Sequence, residues 1–361
     1  MTDRVYNFSA GPATLPLEVL EKAGKDIVNF QSTGMGLVEI SHRSKEFMAV
    51  ASEAESLLRE LLAIPVNYKV LFLQGGASSQ FFMVPMNLLG NGKKATYLNT
   101  GTWSKKSIKE AKLFGDIDVA YSSENASFNR VPKDDEYQVA DDSEYLYYVS
   151  NNTIYGTQFP STPVSDKMLV CDMSSDILSR PIDVNKYGII FAGAQKNLGP
   201  AGVTIVIIKE DLLQRTPAGT PTMLSYATHA DKDSMFNTPP CFPVYVVGEV
   251  LKWLKKLGGV EAIEKINKEK AQLLYDAIDS GNYYKGHAEK ESRSLMNISF
   301  NLPTAELEAK FIEQASKIGL SGLKGHRSIG GCRASIYNAF PKEGIVKLVA
   351  FMKEFEASNP A

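Results

Sequence analysis

The chain has 361 residues, 44% of them hydrophobic and 22% charged, with a formal net charge of -2 at pH 7. A single core seldom grows past roughly 250–300 residues, so this length predicts two domains. The near-neutral balance excludes the basic footprint of a nucleic-acid or anionic-membrane binder, and three scattered cysteines (Cys171, Cys241, Cys332) and four histidines show no disulfide or metal-ligand spacing.

The stretch Met1 to Phe8 lacks the apolar core of a secretion signal, and no apolar run reaches the length of a membrane span. A cytoplasmic enzyme acting on small molecules, alone or with a second copy of itself, is expected. From 44 to 63, Phe47, Val50, Ala51, Ala54, Leu57, Leu58 and Leu61 follow the helical period, with Ser44 as N-cap. Val70 to Leu73 then reads as a strand, Gly75-Gly76 as a turn, the residues from about Ser79 as a helix, and Ala95 to Leu98 as another strand.

Further strands are expected at Tyr145 to Ser150, Met168 to Cys171, Gly188 to Ala192 and Val203 to Ile208, runs that suit strands covered on both faces. The alternation predicts an α/β fold with a mostly parallel sheet, and ligands at its strand C-terminal ends. A long helix starts after Leu257-Gly258-Gly259, and then Met296, Ile298 and Phe300 alternate with polar residues as in a half-exposed strand. Thr304 caps a helix that places Leu307, Phe311, Ala315 and Ile318 on one face. Arg333, Ser335 and Tyr337 alternate with Ala334 and Ile336, and a last helix runs through Ile345, Leu348, Val349, Met352 and Phe355. The expected division is a large domain over 16–259 and a small α+β domain from 1–15 and 260–361.

Within this frame Lys196 stands out, fenced by small residues in Ala192-Gly193-Ala194-Gln195-Lys196-Asn197-Leu198-Gly199 after the apolar run Gly188 to Phe191. Desolvation at a strand mouth lowers an amine's pKa and frees its lone pair for imine formation. The same pattern also describes a lysine that merely caps a strand end. Asp172 closes the run Met168 to Cys171 and would emerge at the same sheet edge, either to hold the proton of a cofactor ring nitrogen or to start a turn. Gln74-Gly75-Gly76-Ala77-Ser78-Ser79, between strand and helix, reads as a phosphate cradle or a plain turn, and lacks the Walker lysine. Trp103 suits stacking on a planar ring or burial in a core.

Taken together, Asn7-Phe8-Ser9-Ala10-Gly11-Pro12, His42-Arg43-Ser44, Gly75-Gly76-Ala77-Ser78, Asp172 and Gly193-Ala194-Gln195-Lys196-Asn197 resemble the phosphoserine aminotransferase family over nearly the whole chain. The resemblance implies a class V, fold-type-I homodimer that uses pyridoxal 5'-phosphate. It makes Lys196 the lysine that bonds the cofactor and acts as general base, pairs Asp172 with the pyridinium and stacks Trp103 on the ring. Thr153 and Gln195 are implied at the ring's hydroxyl side and phosphate, and Asn237 and Thr238, in Phe236-Asn237-Thr238-Pro239, at the phosphate of the partner's cofactor. One departure is Ala77-Ser78, where a branch of the family carries arginine, so that phosphate binding relies more on the amides and hydroxyls of Gly76, Ala77 and Ser78 and on Asn237-Thr238.

The tripeptide His-Arg-Ser occurs twice, as His42-Arg43-Ser44 and His326-Arg327-Ser328, so two cationic pairs are available for a dianion, or two solvated basic turns. Arg333, on the polar side of its strand and read as exposed, suits a bidentate hold on an α-carboxylate. The implied reaction moves the amino group of glutamate to 3-phosphohydroxypyruvate, giving phosphoserine and 2-oxoglutarate, with a 4-phosphooxy-threonine substrate of vitamin B6 synthesis as a further possibility. Another class V aminotransferase of alanine-glyoxylate type is the alternative. A cysteine desulfurase is disfavoured because Gln195 stands where such enzymes place histidine. A phosphate-binding protein with a structural Lys196 is the reading from another class.

Overall fold

The computed structural model describes residues 4–90 and 92–360. Its centre is a seven-stranded sheet of β1 (Tyr68–Leu73), β2 (Lys94–Asn99), β3 (Asp116–Ser122), β4 (Ser143–Val149), β5 (Leu169–Asp172), β6 (Tyr187–Gly193) and β7 (Thr204–Lys209). The spatial order is β1-β7-β6-β5-β4-β2-β3. Every pairing from β6 to β3 is parallel, whereas β7 runs antiparallel to both β1 and β6. Hence β1 points the same way as β6, and the segments after β1, β2, β5 and β6 all leave at one edge.

Helices cover both faces, which is why the strands other than β3 are mostly apolar. Val70 and Phe72 pack into the core beneath helices Lys45–Leu62 and Cys241–Lys256, while Leu71 and Leu73 pack into the opposite core with Phe81, Val84 and Leu88 of helix Gly76–Leu88. Ser44 caps its helix by accepting from the Phe47 N–H at 3.2 Å. The third helix begins at Gly76, three residues before the expected start, because Gly75 (φ 90°) and Gly76 (φ 66°) are themselves the entry turn. β3 was not expected: its burial pattern is mixed along its length, as befits an edge strand, so no continuous apolar run announces it.

A separate core gathers Phe8 with Ala271, Leu274, Ile298, Phe300, Phe311, Ile345 and Phe355. Tyr6–Asn7 pairs in parallel with Leu320–Ser321, tying the N-terminal segment to this C-terminal unit. Thr304 caps its helix through the Leu307 N–H, and Arg293 meets Asp279 through two hydrogen bonds of 2.7 and 2.8 Å. The strand Asn297–Asn301 corrects the expectation of a half-exposed element: Asn297 and Ser299 are as buried as Ile298 and Phe300. Its polar face meets the larger unit, where Asn151 Nδ2 donates to Asn297 Oδ1 (2.8 Å) and Ser299 Oγ donates to the Ile154 carbonyl (2.9 Å). Alternation marks two environments, and here the second is a polar interface. Among the described residues no helix is long and apolar enough to cross a membrane.

Candidate active site

At the edge where β1, β2, β5 and β6 end lies a cavity of ≈ 350 Å³, walled by Gly76, Ala77 and Ser78, by Trp103, Thr153, Asp172 and Gln195-Lys196, and by His326 and Arg333 of the C-terminal unit. Five connections, those after β1, β2, β4, β5 and β6, thus deliver residues that are distant in sequence, and the C-terminal unit closes the opposite wall.

Lys196 follows β6 by three residues, and its Nζ donates to Thr153 Oγ1 at 2.7 Å. Burial lowers its pKa from 10.5 to about 8; the neighbouring Arg333 charge acts in the same direction, and Asp172 and Asp176 oppose it. Asp172, the last residue of β5, is buried. Its Oδ1 accepts from the Ser174 N–H (2.9 Å) and from the Ser174 hydroxyl (2.6 Å), which leaves Oδ2 without a described hydrogen bond. Burial raises the carboxyl above the usual carboxylate range, while the Lys196 charge and the two Ser174 donors pull it back. A cationic ring nitrogen against the uncommitted oxygen would restore the ionised form.

Trp103 begins in the first turn of helix Thr102–Ala111 and offers a ring face to Lys196, whose Nζ lies 5.4 Å from the ring centroid. Its Nε1 is buried without a partner. Gly76, Ala77 and Ser78 present the first turn of their helix, where free N–H groups favour an anion. Gly11 also belongs to the wall: a Cβ there would stand 3.3 Å from Lys196 Cγ.

The expectation that Arg333 is exposed is corrected. Its strand faces the cavity, the guanidinium is half-buried, Nη1 reaches the Thr153 carbonyl at 3.5 Å, and Nε has no partner. Burial lowers its pKa, with Tyr337 opposing. His326 accompanies it, with Nδ1 2.7 Å from the Ser328 hydroxyl; burial and the charges of Arg333, Arg327 and Lys106 hold its pKa down. This wall is cationic and carries no carboxylate, so it suits an anion.

Not every expected residue lines this cavity. Arg327 is exposed beside His326, and His42 and Arg43 precede helix Lys45–Leu62 outside it. Asn237 and Thr238 lie against Gln74: Gln74 Nε2 donates to the Thr238 carbonyl at 3.1 Å. Sequence reasoning also passed over Ser174, which orients Asp172 and accepts from the Gly193 N–H at 3.0 Å. The signal was present, because a hydroxyl two residues after a strand-ending aspartate is a turn-forming pattern. Ile154 and Phe81, which complete the apolar lining, carried no such signal.

Known proteins resemble this chain over nearly its whole length. The family described as Aminotransferase class-V matches residues 5–348. A phosphoserine aminotransferase of Desulfotalea psychrophila is 76% identical over 361 residues, covering 100% of both chains. Among solved structures, the phosphoserine aminotransferase from Bacillus circulans subsp. alkalophilus superposes with a TM-score of 0.96 at 52% identity, covering 99% of each chain. The phosphoserine aminotransferase from Trichomonas vaginalis, solved with its cofactor PLP bound, gives 0.93 at 42% identity, covering 97% of this chain and 100% of that one. With a full-length relative at this identity and the fold-type-I architecture in place, the chain belongs to the class V aminotransferases and, within them, to the phosphoserine aminotransferase family.

Proposed function

We propose that this chain interconverts 3-phosphohydroxypyruvate and phosphoserine, with glutamate and 2-oxoglutarate as the second pair, as a step of serine biosynthesis. The observation that carries the reading is the convergence on one cavity of a desolvated amine, a buried carboxylate with an uncommitted oxygen and a guanidinium whose Nε has no partner.

The residues fit pyridoxal 5'-phosphate: an amine for its aldehyde, Asp172 Oδ2 for its ring nitrogen, the Trp103 face for its ring, and the first turn from Gly76 to Ser78 for its phosphate. Once bound, that cofactor supplies the electron sink that lets an α-carbon release its proton. Lys196 Nζ takes this proton and returns it to the acceptor, held in line by Thr153. Asp172 holds the proton on the ring nitrogen, and Ser174 keeps the carboxylate oriented. Gln195 and Thr153, which line the same cavity, would face the ring's polar substituents. Arg333 takes the α-carboxylate in a bidentate fork, and the Arg327 charge, with His326 as a hydrogen-bond donor, attracts the phosphate or glutamate's distal carboxylate. A 4-phosphooxy-threonine is an additional substrate, since this wall reads charge before chain length.

His42, Arg43, Asn237 and Thr238 stand outside the cavity of their own chain, and we assign them to the cavity of a second copy in a homodimer. Exposed apolar residues, Val28, Met35, Val38 and Met48, flank the His42-Arg43 pair in the chain and form surface that a second copy would cover. The large unit over 16–259 then holds the cofactor, and the unit from 1–15 and 260–361 closes over substrate.

Two measurements test this. Phosphoserine should exceed unphosphorylated serine as amino donor by on the order of 100-fold or more in kcat/KM, and comparable values would defeat the substrate assignment. Mixing inactive Lys196→Ala with Arg43→Ala after subunit exchange should restore activity, because one site of each mixed dimer is then intact. No recovery would place Arg43 in its own chain's site or outside any site.

A further inference from the structure

Helix Gly259–Asp279 carries a lysine that the reaction does not use. Lys270 is fully buried, and its Nζ, with three N–H bonds to share, lies within hydrogen-bond distance of four backbone carbonyls: Ile336 at 3.0 Å, Tyr337 at 2.7 Å, Asn338 at 3.4 Å and Phe340 at 3.2 Å. Among the described residues no carboxylate pairs with it. Burial lowers its pKa to about 7. A lone buried ammonium is costly, and an apolar side chain of similar volume would fill the same space.

The four carbonyls belong to the segment that directly follows the strand of Arg333, and that segment is fastened to the cavity. Tyr337 OH donates to the carbonyl of Ala10, a wall residue, at 2.7 Å. The Asn338 N–H donates to Oδ1 of Asn197, the neighbour of Lys196, at 2.9 Å. Asn338 Nδ2 donates to the Leu178 carbonyl at 2.9 Å, and Asn267, one turn before Lys270, donates to Asn338 Oδ1 at 2.8 Å. Carbonyl oxygens gathered around one point repel each other unless a cation stands among them.

We propose that Lys270 is a positioning residue: its ammonium gathers the carbonyls of residues 336–340 and thereby sets the Arg333 guanidinium at the right distance from Lys196. The inference rests on the reading that Arg333 takes the α-carboxylate. A charge-assisted fork weakens as its donors move off the carboxylate, so a modest loosening should appear in substrate binding.

The test uses the holoenzyme of Lys270→Met, with phosphoserine and glutamate as substrates and phosphoethanolamine, which lacks the α-carboxylate, as a competitive probe. The expected result is a KM and a spectroscopic Kd raised about tenfold for both carboxylate substrates, with kcat and the phosphoethanolamine Ki within about twofold of the parent. Unchanged KM, a loss confined to kcat or to the active fraction, or an equal loss for phosphoethanolamine overturns the inference. If Lys270→Met does not fold, Lys270→Gln, which keeps two donors, replaces it with an expected rise of roughly threefold. A chain that folds with neither assigns Lys270 to stability alone, which also overturns it. Arg333→Ala separates the two levels: if it weakens phosphoserine and phosphoethanolamine equally, the carboxylate reading falls and takes this inference with it. If it weakens phosphoserine selectively while Lys270→Met does not, only the positioning role falls.

Discussion

Two lysines in this chain are withdrawn from water, and they have opposite fates. Lys196 is lowered to about 8 and Lys270 to about 7, both chiefly by burial. By perturbation alone Lys270 would be the better catalytic candidate. Yet its ammonium is committed to four carbonyls, whereas Lys196 gives one hydrogen bond to a hydroxyl and faces a cavity of ≈ 350 Å³ that also holds Asp172. A nucleophile needs a free lone pair and room for a reacting carbon. The contrast teaches that desolvation prepares an amine, while access and an uncommitted partner decide whether it reacts.

The sharpest way to break the comparison is chemical. Borohydride treatment of the yellow holoenzyme should fix the cofactor on Lys196 and leave Lys270 unlabelled in peptide mass spectra; Lys196→Ala should lose on the order of 10⁴-fold or more in kcat. A label on Lys270 would reverse the roles. Asp172→Asn comes next, at roughly 10³-fold in kcat, because the amide cannot hold the ring-nitrogen proton. Retention of full activity would remove Asp172 from the chemistry.

Arg333→Ala is expected to lower kcat/KM by about 100-fold, mostly through KM, as a charge-assisted fork is lost. The smallest effect is in pH. The folded pKa of Lys196 lies below its ordinary value of 10.5, so the neutral amine accumulates above about pH 8. Incorporation of pyridoxal phosphate into cofactor-stripped protein should therefore accelerate roughly tenfold per unit below that midpoint and level off above it. A midpoint near the ordinary value would contradict the desolvation. The same sign governs stability: between about 8 and 10.5 the unfolded chain binds a proton that the folded chain does not, so folding gains from this residue as pH rises. Lys196→Met should flatten that part of the melting curve against pH.

Much of the architecture was readable because burial on two faces leaves unbroken apolar runs and amphipathic helices leave a period. The strand ends at Asp172 and Gly193 and the caps at Ser44 and Thr304 lie where those patterns stop. Asp116–Ser122 left no such trace, because an edge strand is only partly covered. The polar face of Asn297–Asn301 misled, since alternation records a change of neighbour without saying whether that neighbour is water.

By itself the sequence marked out the side chains proposed to carry chemistry: an amine among small residues, an acid at a strand end, and glycines at a helix entry, each a property of local composition. Only the tertiary structure decided which of them share a cavity. It turned Arg333 inward, made Ser174 the holder of Asp172 and committed Lys270 to the carbonyls of residues 336–340. The physical reason is that desolvation and hydrogen-bond partnership arise from segments far apart in the chain, and no local pattern encodes the distance between them.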